Sequence, residues 1–143
     1  FDANAHNRRV IDAIAVGPRG TTDPNRIVSR LTLGFWTHLS DTNHERALWI
    51  PYLHTIWPKG VDRSRLYANL SMINTMRNRA AHAEKLFNLD GELSVRKCDD
   101  AIDRLMHTLA PAIADRMTNG SQLTPVERYL KTFKLGADIK VEV

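Results

Sequence analysis

Alternation of apolar and polar residues at the two-residue period of a half-buried strand occurs in one place, Asp138-Ile139-Lys140-Val141-Glu142-Val143. Elsewhere the apolar residues recur at three- and four-residue steps, the spacing of one helix face. That contrast points to an all-α fold, because one strand cannot make a sheet.

The punctuation between segments agrees. Asn4 to Val16 carries Ala5, Val10, Ile11, Ile14 and Ala15 at helical spacing, and Gly17-Pro18 ends it. Asp23-Pro24 is an N-cap followed by Pro at the first helical position, opening a helix through Ile27, Val28 and Leu31. Asp62 can cap a long helix running to about Asn88, with a ladder of Leu66, Leu70, Ile73, either Met76 or Arg77, and Ala80; Gly91 follows. Another helix starts at Ser94 or Lys97 and runs to Met117. Its apolar face is Ile102, Leu105, Met106 and Leu109, and Pro111 kinks or splits it. Thr124-Pro125-Val126-Glu127 reads as a capping box that begins a last short helix to about Phe133. The expectation is a bundle of five or six helices. Trp36, Trp49 and Trp57 fall within one short window, where packing is the ordinary role and base stacking the alternative.

A chain of 143 residues, 43% apolar and 25% charged, suits one globular domain, here residues 1–143. Because it begins with Phe1, we expect it to be the C-terminal part of a longer protein. Cys98 is the single cysteine, which excludes an internal disulfide or a Cys-based zinc site and reads as a buried structural thiol. No apolar run reaches the ~18 residues of a membrane span, and no secretory leader stands at the start. A cytoplasmic protein with no membrane contact is therefore expected. The net charge of +4, with 14 of the 20 basic residues being Arg, permits a nucleic-acid partner without requiring one.

No cofactor motif is present: there is no Gly-rich phosphate loop and no nucleophile elbow. The six His residues (6, 38, 44, 54, 82 and 107) never share the i, i+4 spacing that would hold a metal on one helix face, so no metal site is expected. One polar segment stands out late in the long helix, Met76-Arg77-Asn78-Arg79-Ala80-Ala81-His82-Ala83-Glu84. At 100° per residue, Asn78 and His82 are about 40° apart on one face, while Arg77 and His82 are about 140° apart and flank a groove. A titratable imidazole, a permanent cation and an orienting amide are the groups RNA cleavage uses: a proton acceptor for the ribose 2′-OH, a proton donor for the leaving oxygen, and charge for the phosphorane. The same residues also suit a merely solvated helix end.

Arg77-Asn78-Arg79-Ala80-Ala81-His82 is similar to the Arg-x4–6-His motif of the HEPN superfamily, in the form where Asn follows Arg. Upstream, Leu33-Gly34-Phe35-Trp36-Thr37-His38-Leu39 resembles the Gly-Phe-Trp segment of its Abi-like (abortive infection) branch. Leu48-Trp49 and Ile56-Trp57-Pro58 fall at that branch's Leu-Trp and Phe-Pro landmarks, and Glu84 at the Glu of its Arg-Asn-Arg-x-x-His-His-Glu string. The likeness spans about residues 24–88 and departs from the string at Ala83, where many relatives carry a second His.

The resemblance implies a HEPN-like helical bundle that dimerises and a metal-independent endoribonuclease acting in phage defence or as a toxin. RNA would be the substrate, and an antitoxin protein a possible partner. Residue by residue, it implies that Arg77 stabilises the scissile phosphate, His82 acts as general base or acid, and Asn78 orients the pair, with Arg79 and Glu84 in support. Two other readings remain open: a non-catalytic helical module for dimerisation or RNA contact, and a basic DNA-binding domain, which lacks an evident helix-turn-helix pair.

Overall fold

The computed structural model describes residues 4–86, 94–118, 121 and 123–132. The described residues are all-α and contain no strand; Asp138 to Val143 lie outside them. The chain forms two compact units, residues 1–75 and 76–143.

In the first unit α1 (Ala5–Val16) packs against α2 (Pro24–Arg30). Asp23 caps α2 as expected, its carboxylate accepting the Asn25 backbone N–H at 3.0 Å. Thr32 caps α3 (Leu33–His38), its hydroxyl accepting the Phe35 N–H at 3.3 Å. Beyond α3 the backbone changes pitch repeatedly. A 3-10 turn (Thr42–His44) leads into a π-helical turn (Glu45–Trp49), which the Ile50 N–H closes on the Glu45 carbonyl at 2.9 Å; a second 3-10 turn follows at Leu53–Thr55.

Phe35 and Trp49 are buried, and the Trp57 ring lies 6.3 Å from that of Trp49. Trp36, by contrast, is 41% exposed. It borders an open apolar groove of about 530 Å³ shared with Ile11, Ile27, Val28 and Leu31.

Asp62 caps α4 (Arg63–Ala81) by accepting the Arg65 N–H at 2.7 Å. Leu66 and Met76 are buried and Leu70 and Ile73 half-buried, whereas Arg77 and Ala80 are exposed, so the fourth rung is Met76. The helix stops at Ala81 and does not run to Asn88; Asn88 and Gly91 lie outside the described residues.

In the second unit Ser94 is the start of α5 (Val95–Leu109), its Oγ accepting the Lys97 N–H at 3.1 Å. Pro111 splits the expected helix outright. Ala110 leaves helical geometry at φ −148° and ψ 64°, and α6 (Pro111–Thr118) folds back onto α5. Cys98 and Ala101 of α5 and Ala114 of α6 are buried, while Leu109, at the break, is half exposed. Burial, helped by the charge of Asp99, raises the Cys98 thiol above its ordinary pKa, which suits an inert packed thiol.

The capping box of α7 (Pro125–Thr132) forms as read. Thr124 Oγ1 accepts the Glu127 N–H at 3.1 Å, and Glu127 Oε2 accepts the Thr124 N–H at 2.8 Å. The Thr124 hydroxyl donates in turn to the Asp99 carboxylate, fastening the start of α7 to α5. No described helix is long and apolar enough to cross a membrane.

Burial raises the Asp99 pKa; the Thr124 hydrogen bond opposes the rise, and repulsion from Glu127, Asp100 and Asp103 adds to it. A carboxyl whose pKa is raised on folding is charged more easily in the unfolded chain, so its ionised form destabilises the fold at neutral pH. Asp99→Asn keeps an acceptor for Thr124 and removes the charge. It should raise stability at pH 7 by up to ~1 kcal/mol after solvent screening, and the gain should vanish below about pH 4. Denaturant melts of both proteins at the two pH values check this.

Candidate functional site

The segment singled out in the sequence sits at the end of α4. Arg77 Nη1 donates to Asn78 Oδ1 at 2.9 Å on an exposed surface, so the cation and the amide are in contact. His82 lies one residue past the helix, exposed, yet its backbone N–H still reaches the Asn78 carbonyl at 3.0 Å. It therefore keeps the one-turn stacking over Asn78. Among the described residues its imidazole makes no hydrogen bond, and neither Arg77 nor Asn78 is joined to it through side chains.

Arg79 and Glu84 serve the helix ending. Arg79 donates to the Lys85 carbonyl from Nε (3.2 Å) and Nη2 (2.8 Å), and its Nη1 lies 3.6 Å from Glu84 Oε2. The Ala83 N–H meets the Ala80 carbonyl at 3.2 Å and the Glu84 N–H meets the Arg79 carbonyl at 2.9 Å. These two bonds, with Ala83 at φ +54°, are a Schellman turn. The position normally belongs to Gly, and an L side chain there is strained.

A second constellation was not expected. His38, Asp41 and His44 each offer a ligand atom, and those atoms lie within 4.8 Å of one another. This corrects the expectation of no metal-ligand cluster. The i, i+4 criterion describes an α-helix, whereas here the chain advances in three-residue turns: the Asp41 N–H bonds the His38 carbonyl at 3.1 Å and the His44 N–H bonds the Asp41 carbonyl at 3.2 Å. Two such turns, joined at Asp41 in extended geometry (φ −70°, ψ 170°), bring positions 38, 41 and 44 together. The spacing His-x2-Asp-x2-His was the available signal.

The cluster is tightly built. Asp41 Oδ1 accepts from His44 Nδ1 at 2.7 Å and from the His44 backbone N–H at 3.1 Å, while Oδ2 lies 3.0 Å from His38 Nδ1. The His38 and His44 rings meet edge to face with centroids 4.6 Å apart. His44 is 0% exposed, and its Nε2 is 2.9 Å from Asn7 Nδ2 of α1. Arg63 holds the segment from α4, donating to the Ser40 carbonyl at 2.8 Å. Burial alone would raise the Asp41 pKa; the side-chain and backbone hydrogen bonds from His44, with the charges of His44 and His38, outweigh it and lower the value.

Comparisons with protein-family models, curated proteins and solved structures find no match to this chain.

Ala83→Gly should relieve the left-handed strain beside His82 and stabilise the fold by about 0.5–1 kcal/mol, a gain of a few degrees in Tm. A calorimetric melt checks it; a lower Tm would mean the turn is not left-handed.

Proposed function

We propose that this chain is a metal-independent endoribonuclease of the HEPN type, with Arg77, Asn78 and His82 as its working residues and RNA as its substrate. The supporting observation is the end of α4, where an exposed cation is hydrogen-bonded to an amide and, one turn beyond Asn78, an exposed imidazole makes no hydrogen bond among the described residues. His82 would move the proton of the ribose 2′-OH or of the leaving oxygen. Arg77, steadied by Asn78, would carry the charge of the phosphorane. Ala80, Ala81 and Ala83 are exposed and small enough to admit a second helix end. A two-fold axis there would join two copies of the site in one cleft. Phage defence or toxin action in the cytoplasm, with an antitoxin partner, would be the corresponding role.

His82→Ala should lower RNA cleavage by roughly 100- to 10,000-fold while leaving the helical circular dichroism and Tm nearly unchanged, because the side chain is exposed. Arg77→Ala should remove most activity. Arg77→Lys should restore part of it, keeping the charge but not the planar two-donor geometry. Cleavage should persist in EDTA and leave 2′,3′-cyclic phosphate ends. If His82→Ala cuts as fast as the unaltered protein, the assigned site fails; if the unaltered protein cuts no RNA, a non-catalytic module takes the place of this reading.

A further inference from the structure

We infer that His38, Asp41 and His44 form a binding site for a divalent transition-metal ion of the zinc type, held by the two imidazole Nδ1 atoms and the Asp41 carboxylate. This site is separate from the residues of the proposed nuclease and assigns the segment its own chemistry.

The donor set is the first argument. Two neutral imidazoles and one carboxylate suit zinc and its neighbours, whereas magnesium and calcium select oxygen ligands. Spacing is the second. Tetrahedral bonds of about 2.1 Å separate ligand atoms by roughly 3.4 Å. The observed separations of 2.7 and 3.0 Å are hydrogen-bond lengths. Seating one ion in place of the two Nδ1–H···O contacts opens these two separations by about half an ångström each and gathers three ligand atoms that already lie within 4.8 Å of one another. All three ligands come from one seven-residue segment, His38 to His44, so little chain entropy is spent in bringing them together.

The third argument comes from outside the segment. Asn7 is only 6% exposed, and among the described residues its buried Oδ1 has no hydrogen-bond partner, while Nδ2 of the same amide donates to Asn4 Oδ1 at 3.3 Å and faces His44 Nε2 at 2.9 Å. When a metal takes Nδ1, the single ring proton of neutral His44 shifts from Nδ1 to Nε2 and needs an acceptor there. A half-turn of the Asn7 amide brings Oδ1 to that place as the acceptor, exchanging the 3.3 Å hydrogen bond that Nδ2 donates to Asn4 Oδ1 for one received from His44 Nε2. A ligating imidazole that donates its other N–H to a carbonyl is the usual support for such a metal. His38 completes the picture: its side chain is 35% exposed, which gives the ion a route from solvent and leaves room for water as a further ligand.

Metal-stripped protein titrated with zinc chloride in a calorimeter should bind one ion per chain, and cobalt(II) should give the visible absorption of a tetrahedral site. Zinc should also raise Tm, and excess magnesium should not compete. His38→Ala, a partly exposed position whose loss the fold should tolerate, should weaken zinc binding at least ~100-fold with its circular dichroism intact, and Asn7→Ala should weaken it by ~10- to 100-fold. Absence of zinc binding by the unaltered protein overturns the inference. So does His38→Ala binding zinc as tightly as the unaltered chain, which would place the ion on other histidines. Unchanged affinity in Asn7→Ala overturns the part given to Asn7. Zinc affinity and RNA cleavage are read separately, so the failure of one leaves the other standing.

Discussion

The first unit is organised around the Asp41 carboxylate. Burying an anion is expensive unless hydrogen-bond donors surround it. Asp41 obtains three: the two imidazoles and the His44 backbone N–H. To deliver them from adjacent sequence the chain must turn once before Asp41 and once after it, which breaks α3 at His38 and starts the 3-10 turn at Thr42. His44, drawn wholly inside, then needs a partner for its far nitrogen, and Asn7 on α1 supplies it. Arg63 at the start of α4 takes the Ser40 carbonyl that these turns leave over. One carboxylate thus ties α1, the end of α3 and the start of α4 together.

Features governed by neighbours in sequence were readable in advance. Asp23, Asp62 and Thr124 cap as their positions suggest, since each bonds an N–H two or three residues away, and of the two starts left open for α5 it is Ser94 that caps, accepting the Lys97 N–H. Pro111 breaks its helix for an equally local reason. Alternatives that periodicity left open, such as Met76 against Arg77, were decided by burial, which is a property of the folded chain. The end of α4 was misjudged because its stop signal is a conformation and not a residue type: Ala83 takes the left-handed geometry that Gly usually announces. The His38–Asp41–His44 cluster escapes the α-helical i, i+4 rule because two tight turns joined at an extended Asp41, not a helix face, bring its side chains together. Asn7, 37 residues from His44, could not have been joined to it by any local rule. Of the residues read as a nuclease site, Arg77 and Asn78 meet and His82 stacks a turn above, while Arg79 and Glu84 close the helix.

The two histidine environments carry different chemistry for physical reasons. His44 is fully buried, paired through Nδ1 with a carboxylate and through Nε2 with an amide, and both its nitrogens are committed. Such a ring can hold an ion or a turn in place, but it cannot reach an external substrate. His82 is the reverse: exposed and, among the described residues, without a side-chain hydrogen bond, it stands on a turn whose backbone bonds, with the Arg79–Glu84 pair, fix its position without engaging its ring. Strain at Ala83 is part of that arrangement, because the left-handed residue reverses the chain immediately after the imidazole and keeps the following backbone from continuing the helix over it. A side chain meant to meet a large, flexible polyanion benefits from such placement. The permanent charge of Arg77, already oriented by Asn78, needs less reordering when phosphate arrives than a free arginine would.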